Sequence, residues 1–80
     1  METPVGIATI FLIDVSPFSP ATGFSVELVD SLGLVIAPPQ SLQVSAFTVA
    51  YACPPLQSGR FYVRLFRDGE LQREFAIHAG

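Results

Sequence analysis

Apolar and polar residues alternate along most of this chain in short runs that turn residues keep interrupting. Ile7–Val15 is the first run, rich in β-branched and aromatic types. Pro17 and Pro20 break it, since proline cannot donate to a central ladder. Phe24–Val29 predicts a second strand with Phe24, Val26 and Leu28 on one face, and Asp30-Ser31-Leu32-Gly33 turns the chain. Leu34–Ala37 predicts a short third strand, stopped by Pro38-Pro39, and Leu42–Val44 a brief edge strand. Phe47–Tyr51 alternates too, but its apolar parity is offset from Leu42 and Val44, which calls for a bulge or break near Ser45-Ala46. Cys53–Gly59 reads as a loop. The clearest signal comes last: Phe61, Val63 and Leu65 alternate with Arg60, Tyr62, Arg64 and Phe66, Arg67-Asp68-Gly69-Glu70 turns, and Leu71–His78 returns. Asp-Gly between two alternating runs marks a two-residue hairpin. Helical spacing over three turns is missing everywhere.

Six or seven short strands with closely spaced turns predict an all-β fold, a β-sandwich of about seven short antiparallel strands. Its expected core is Phe24, Val26, Phe47, Val49, Tyr51, Phe61, Val63, Leu65, Phe75 and Ile77. At 80 residues the chain has room for one domain, spanning 1–80 and compatible with excision from a longer protein. Apolar types make up 50% of it and charged types 14%, which excludes a disordered chain. A domain this small buries about 60% of its unfolded surface. It must therefore pack efficiently or borrow burial from a partner. Seven Phe and two Tyr favour efficient packing.

Charge and reactive residues narrow the function. The net charge is −3, with four Arg and no Lys, so a nucleic-acid footprint is not expected. One Cys excludes a disulfide framework within the chain, and one His beside it leaves no usual zinc ligand set. His78 stands near the end of the last strand without the nucleophile and orienting group that catalysis needs. Cys53, before two prolines and far from any cation in sequence, reads as a small buried hydrophobe. Glu27, Asp30, Asp68, Glu70 and Glu74 fall on strand exteriors and turns, so no acid–base pair across a cleft is expected. These residues predict no enzyme, no cofactor and no metal. The apolar start lacks a basic region before it, and Asp14 interrupts it well short of the ~20 residues of a membrane span. The expected compartment is the cytosol, and the expected partners are proteins, with no nucleic acid and no membrane.

Two features suggest where a protein would bind. If Phe61, Val63 and Leu65 point inward, Tyr62, Arg64 and Phe66 form one outward row with Arg60. That row is either a cross-strand ladder, with Glu74 facing an Arg, or an interaction surface of the composition found at binding hot spots. In the first run, Phe11, Ile13 and Val15 suit the core and leave Ile10 and Leu12 on the other face. An apolar edge strand is an association hazard that no Lys blunts here. Either the Pro-rich loop and Phe18 cover it, or another chain does.

The C-terminal half carries a family pattern. Phe47-x-Val49-x-Tyr51, Pro54-Pro55, Gly59-x-Phe61-x-Val63-x-Leu65, Gly69 and Phe75-x-Ile77 resemble filamin-type immunoglobulin-like repeats. Phe24-x-Val26 and Asp30 with Gly33 look like the second strand and acidic turn of such repeats. Val15-Ser16-Pro17 with Gly23, and Cys53-Pro54-Pro55 with Gly59, also resemble the immunoglobulin-like (IPT/TIG) domains of transcription factors and plexins. Both groups are early-set (E-set) immunoglobulin-like sandwiches. The resemblance runs from about Val15 to Ile77 and implies a non-catalytic interaction or spacer module of a multidomain protein. The alternatives are the dimerisation domain of an IPT/TIG-type transcription factor and a self-assembling viral or appendage subunit. By resemblance to filamin repeats, the middle strands, with Leu34, Ile36, Leu42 and Val44, would accept a peptide strand. Ile10 and Leu12 of the first strand would serve self-pairing, giving a homodimer. The middle stretch is shorter than in filamin repeats, and Arg73-Glu74 stands where those repeats have Ser-Pro before the closing Phe.

Overall fold

A computed structural model of the protein describes residues 9–79. The early part of the first predicted run, Ile7 and Ala8, lies outside the described residues. Seven strands form in chain order: β1 (Thr9–Asp14), β2 (Phe24–Asp30), β3 (Val35–Ser41), β4 (Val44–Ser45), β5 (Thr48–Cys53), β6 (Gly59–Arg67) and β7 (Glu70–Ala79). They make two antiparallel sheets, a three-stranded one ordered β1-β5-β4 and a four-stranded one ordered β3-β2-β6-β7. The expected all-β sandwich is the fold.

The core lies between the sheets. Ile13, Val49, Tyr51 and Cys53 come from the three-stranded sheet, Val15 from just beyond β1, and Phe24, Val26, Leu28, Phe61, Val63 and Leu65 from the four-stranded one. Strict alternation puts these residues on one face of each strand, so the parity read for β2, β5 and β6 holds. Phe18, in the loop after β1, closes one end with its ring edge-on to Phe24 at 5.4 Å. The expected hairpin joins β6 and β7, with Asp68 at φ 50° and Gly69 at φ 84°. Asp30 builds the turn after β2, its Oδ1 accepting from the N–H groups of Leu32 and Leu34, both at 2.9 Å.

Four expectations need correction. Phe47 is not in the core but 60% exposed. The parity offset before β5 is absorbed by the expected break, a two-residue turn between β4 and β5. Ala46 and Phe47 occupy it at φ 52° and 59°, and Phe47 swings out at its tip. Phe75 faces inward yet is 36% exposed, and Ile77 is half-buried, because three strands cannot cover a sheet of four. The third strand does not stop at Pro38-Pro39 but runs through them to Ser41, as an edge strand whose pairing with β2 shifts at two places. On β2, finally, the outward-facing Val29 and Glu27 are buried as well as the inward residues. Tyr62 stands beside Val29 and Arg64 beside Glu27 in register on β6.

Two substitutions probe this backbone. Gly23 sits at φ +79°, its carbonyl accepts the Asp68 N–H at 2.9 Å, and a Cβ there would run into the Asp68 carboxylate. Gly23→Ala is expected to cost about 1–3 kcal/mol in urea unfolding, from the left-handed backbone and the collision together. Ala46 and Phe47 hold positive φ without being the Asn-Gly that such a turn favours. Replacing the pair by Asn-Gly is expected to stabilise the fold by about 1–2 kcal/mol in the same assay.

Candidate functional site

β1 forms one border of the three-stranded sheet, and β7 forms a border of the four-stranded one. A cleft of about 300 Å³ opens between these two edges. Phe11, Leu12, Ile13 and Asp14 of β1 line one wall, with Val63 of β6 and Arg73, Phe75 and Ile77 of β7 opposite. The lining is apolar apart from Arg73 and Asp14. It exists because β5 packs over β2, β1 faces Val63 of β6 across the cleft, and no strand among the described residues lies above β7.

The free groups of β1 follow from its ladder. The Val15 N–H donates to the Phe47 carbonyl at 2.9 Å, and β1 pairs with β5 in unbroken register. Hydrogen-bonded pairs alternate in an antiparallel ladder, so Phe11 and Ile13 bond to β5. Ile10, Leu12 and Asp14 then turn their N–H and C=O groups toward the open side. Their side chains leave the sheet on its outer face, where Ile10 is 56% and Leu12 71% exposed. Phe18 does not cover them; it packs on Phe24, with the Arg67 and Arg73 guanidinium groups 5.7 and 5.5 Å from its ring centre.

At the end of β1 the Asp14 carboxylate accepts from the Ser16 N–H at 3.0 Å and the Ser16 hydroxyl at 3.2 Å. Those bonds hold its carboxyl below the usual range, with a smaller pull from Arg73. Arg73 has no carboxylate within ion-pair distance among the described residues.

The Tyr62, Arg64 and Phe66 row lies on the opposite side of the molecule from the β1 edge, on the outer face of the four-stranded sheet. It is half-buried. Arg64 Nε donates to Glu74 Oε2 at 2.8 Å, and Arg64 Nη1 lies 3.5 Å from Glu27 Oε2. The hydrogen bond to Glu74 comes first among the causes that keep the guanidinium protonated, with the Glu27 charge adding to it. These contacts are those of a cross-strand ladder. Leu34 and Ile36 are exposed at the far edge, Leu34 in the turn before β3 and Ile36 on β3 itself. Pro38 and Pro39 have no N–H to donate and the register shifts twist that edge, which suits strand addition poorly.

Cys53 is buried, its thiol donating to the Pro54 carbonyl at 3.4 Å, and burial pushes its pKa up. That is the environment of an inert thiol. His78 is exposed on β7. Among the described residues no cluster of His, Cys, Asp and Glu is arranged to hold a metal, and no helix is long and apolar enough to cross a membrane.

Arg73, Phe75 and Ile77 are the site residues that sequence reasoning placed elsewhere or passed over. Their inward parity was readable. Which strand lay opposite them was not, because a pattern along one strand carries no information about the width of the facing sheet. No family model, no curated protein and no solved structure matches this chain.

Proposed function

We propose that this chain is a non-catalytic, immunoglobulin-like protein-interaction module of the early-set kind, acting as a scaffold or spacer unit within a longer protein. It binds by adding an extended segment of another protein chain to a sheet edge. The strand order supports the family reading: β1-β5-β4 against β3-β2-β6-β7 has the order of a B-E-D sheet facing a C′-C-F-G sheet, with no counterpart of strand A among the described residues. The observation that carries the function is the inner face of β7 beside the edge of β1, neither of which is covered by any described residue. Exposed main-chain groups next to an apolar cleft are what strand addition uses, main chain for affinity and alternate side-chain pockets for selectivity. A single thiol with no disulfide partner in the chain fits a reducing compartment, the cytosol.

The test is a set of synthetic extended peptides of varied alternating sequence, titrated into the isotope-labelled protein and followed by amide chemical shifts. Shifts running along a sheet edge, at β1 or β3, are expected. A set that moves no edge amide at millimolar peptide contradicts the reading.

A further inference from the structure

The four sheet edges are not equally protected. β4 is two residues long. β3 carries two prolines and two register shifts. β7 turns Arg73 inward and carries an extra residue, Gln72, where its register with β6 shifts between Leu65 and Phe66. Inward charges, prolines, bulges and short strands are the devices that keep edges from pairing. β1 has none of them. It pairs without a break over six residues, contains no proline, and bears a single charge at its end, Asp14. Its open side faces the cleft.

We infer that the slot beside β1 and above β7 binds an extended segment of a partner protein, antiparallel to β1, with two alternate apolar side chains preceded two places earlier by an acidic one. This rests on the strand-addition reading above and fixes the edge and the chemistry of the partner. The segment exchanges main-chain hydrogen bonds with Ile10, Leu12 and Asp14. Residues directly opposite in an antiparallel pair share a face. Those facing Phe11 and Ile13 therefore point into the cleft, onto Ile77 and Phe75. Arg73 and Asp14 line the same end of the cleft, so the next inward residue, toward the segment's N-terminus, arrives at Arg73. The Asp14 carboxylate is already engaged by Ser16, whereas the Arg73 guanidinium has no described carboxylate partner. A carboxylate on the segment supplies one.

The geometry selects a single strand over a second copy of this domain. The place beside β1 lies directly above β7. A copy docked edge to edge would bring its own β6 and β7 into the space that β7 fills. An isolated segment meets no such obstacle.

The probes are two capped peptides, Thr-Glu-Thr-Val-Thr-Val-Thr and its counterpart with Lys in place of Glu, titrated calorimetrically. The wild-type protein is expected to prefer the Glu peptide by about tenfold. Arg73→Glu is expected to reverse that preference, an effect that mere loosening of the fold does not produce. Leu12→Pro removes one outward N–H at an edge that tolerates proline, and is expected to abolish binding with the thermal midpoint nearly unchanged. Phe75→Asp, in the floor of the cleft, is expected to abolish binding as well should Leu12→Pro fail to fold. Equal affinity for the two peptides, or binding indifferent to both Arg73→Glu and the slot variants, overturns the assignment. So does a wild-type dimer in sedimentation that Leu12→Pro turns into a monomer, since a second copy then fills the slot. Peptide-induced shifts confined to β3 overturn this site while leaving strand addition as the function.

Discussion

Phe24→Ala is expected to lower the unfolding free energy by about 3–5 kcal/mol, the range for truncating a fully enclosed Phe. Phe24 opens β2, the strand flanked by β3 and β6, and its ring touches Phe18 edge-on. The substitution therefore empties a central core position and removes the contact that pins the loop after β1. A domain of 80 residues has a total stability of roughly 4–12 kcal/mol. The variant thus gives up a large part of what holds it folded, and its urea midpoint should fall sharply. Phe47→Ala is the contrast. Phe47 stands at an exposed turn tip, so its truncation should stay within about 0.5 kcal/mol. Similar losses from the two would mean that the turn at Ala46-Phe47 is folded otherwise and that Phe47 packs inside.

Val29→Asp is expected to cost about 3–5 kcal/mol, comparable to losing a core aromatic, because it places an uncompensated carboxylate where water does not reach. Simple alternation along β2 assigns Val29 to the solvent side, where such a change would be harmless. In the fold it is enclosed on the outer face, with Tyr62 and Val35 as its register neighbours on either side. The short aspartate stem cannot carry its charge out to solvent, and the acidic Glu27 on the same face of the strand worsens the site. Chemical denaturation checks this directly. A loss below about 1 kcal/mol would show that the outer face of the four-stranded sheet is open.

These two positions show what was legible in the sequence. Phe24, Val26, Val49, Tyr51, Phe61, Val63 and Leu65 could be placed inside because period-two alternation is a property of one strand and needs no knowledge of its neighbours. The Asp68-Gly69 hairpin was readable because the left-handed turn needs those residue types. Phe47, Phe75 and Val29 were not, each for a different reason. Phe47 occupies a left-handed turn that its residue type disfavours, so propensity pointed into the strand. Phe75 has inward parity, but its exposure depends on the sheet opposite being one strand narrower. Val29 has outward parity, but the side chains beside it on β3 and β6 close over it. The candidate site divides the same way. The outward parity of Ile10 and Leu12 followed from β1 alone, whereas the cleft that the strand borders arises from how two sheets of unequal width are stacked.

Amide hydrogen exchange along β1, with and without the acidic peptide, tests the open edge most directly. In the free protein the amides of Ile10, Leu12 and Asp14 should exchange quickly and those of Phe11, Ile13 and Val15 slowly, in strict alternation. Saturating Thr-Glu-Thr-Val-Thr-Val-Thr should slow Leu12 and its even-numbered neighbours while leaving β3 unchanged. Slow exchange at every β1 amide in the free protein would contradict the open edge, because the strand would already be paired on both sides. Even-numbered amides that stay fast at saturation would contradict strand addition beside β1.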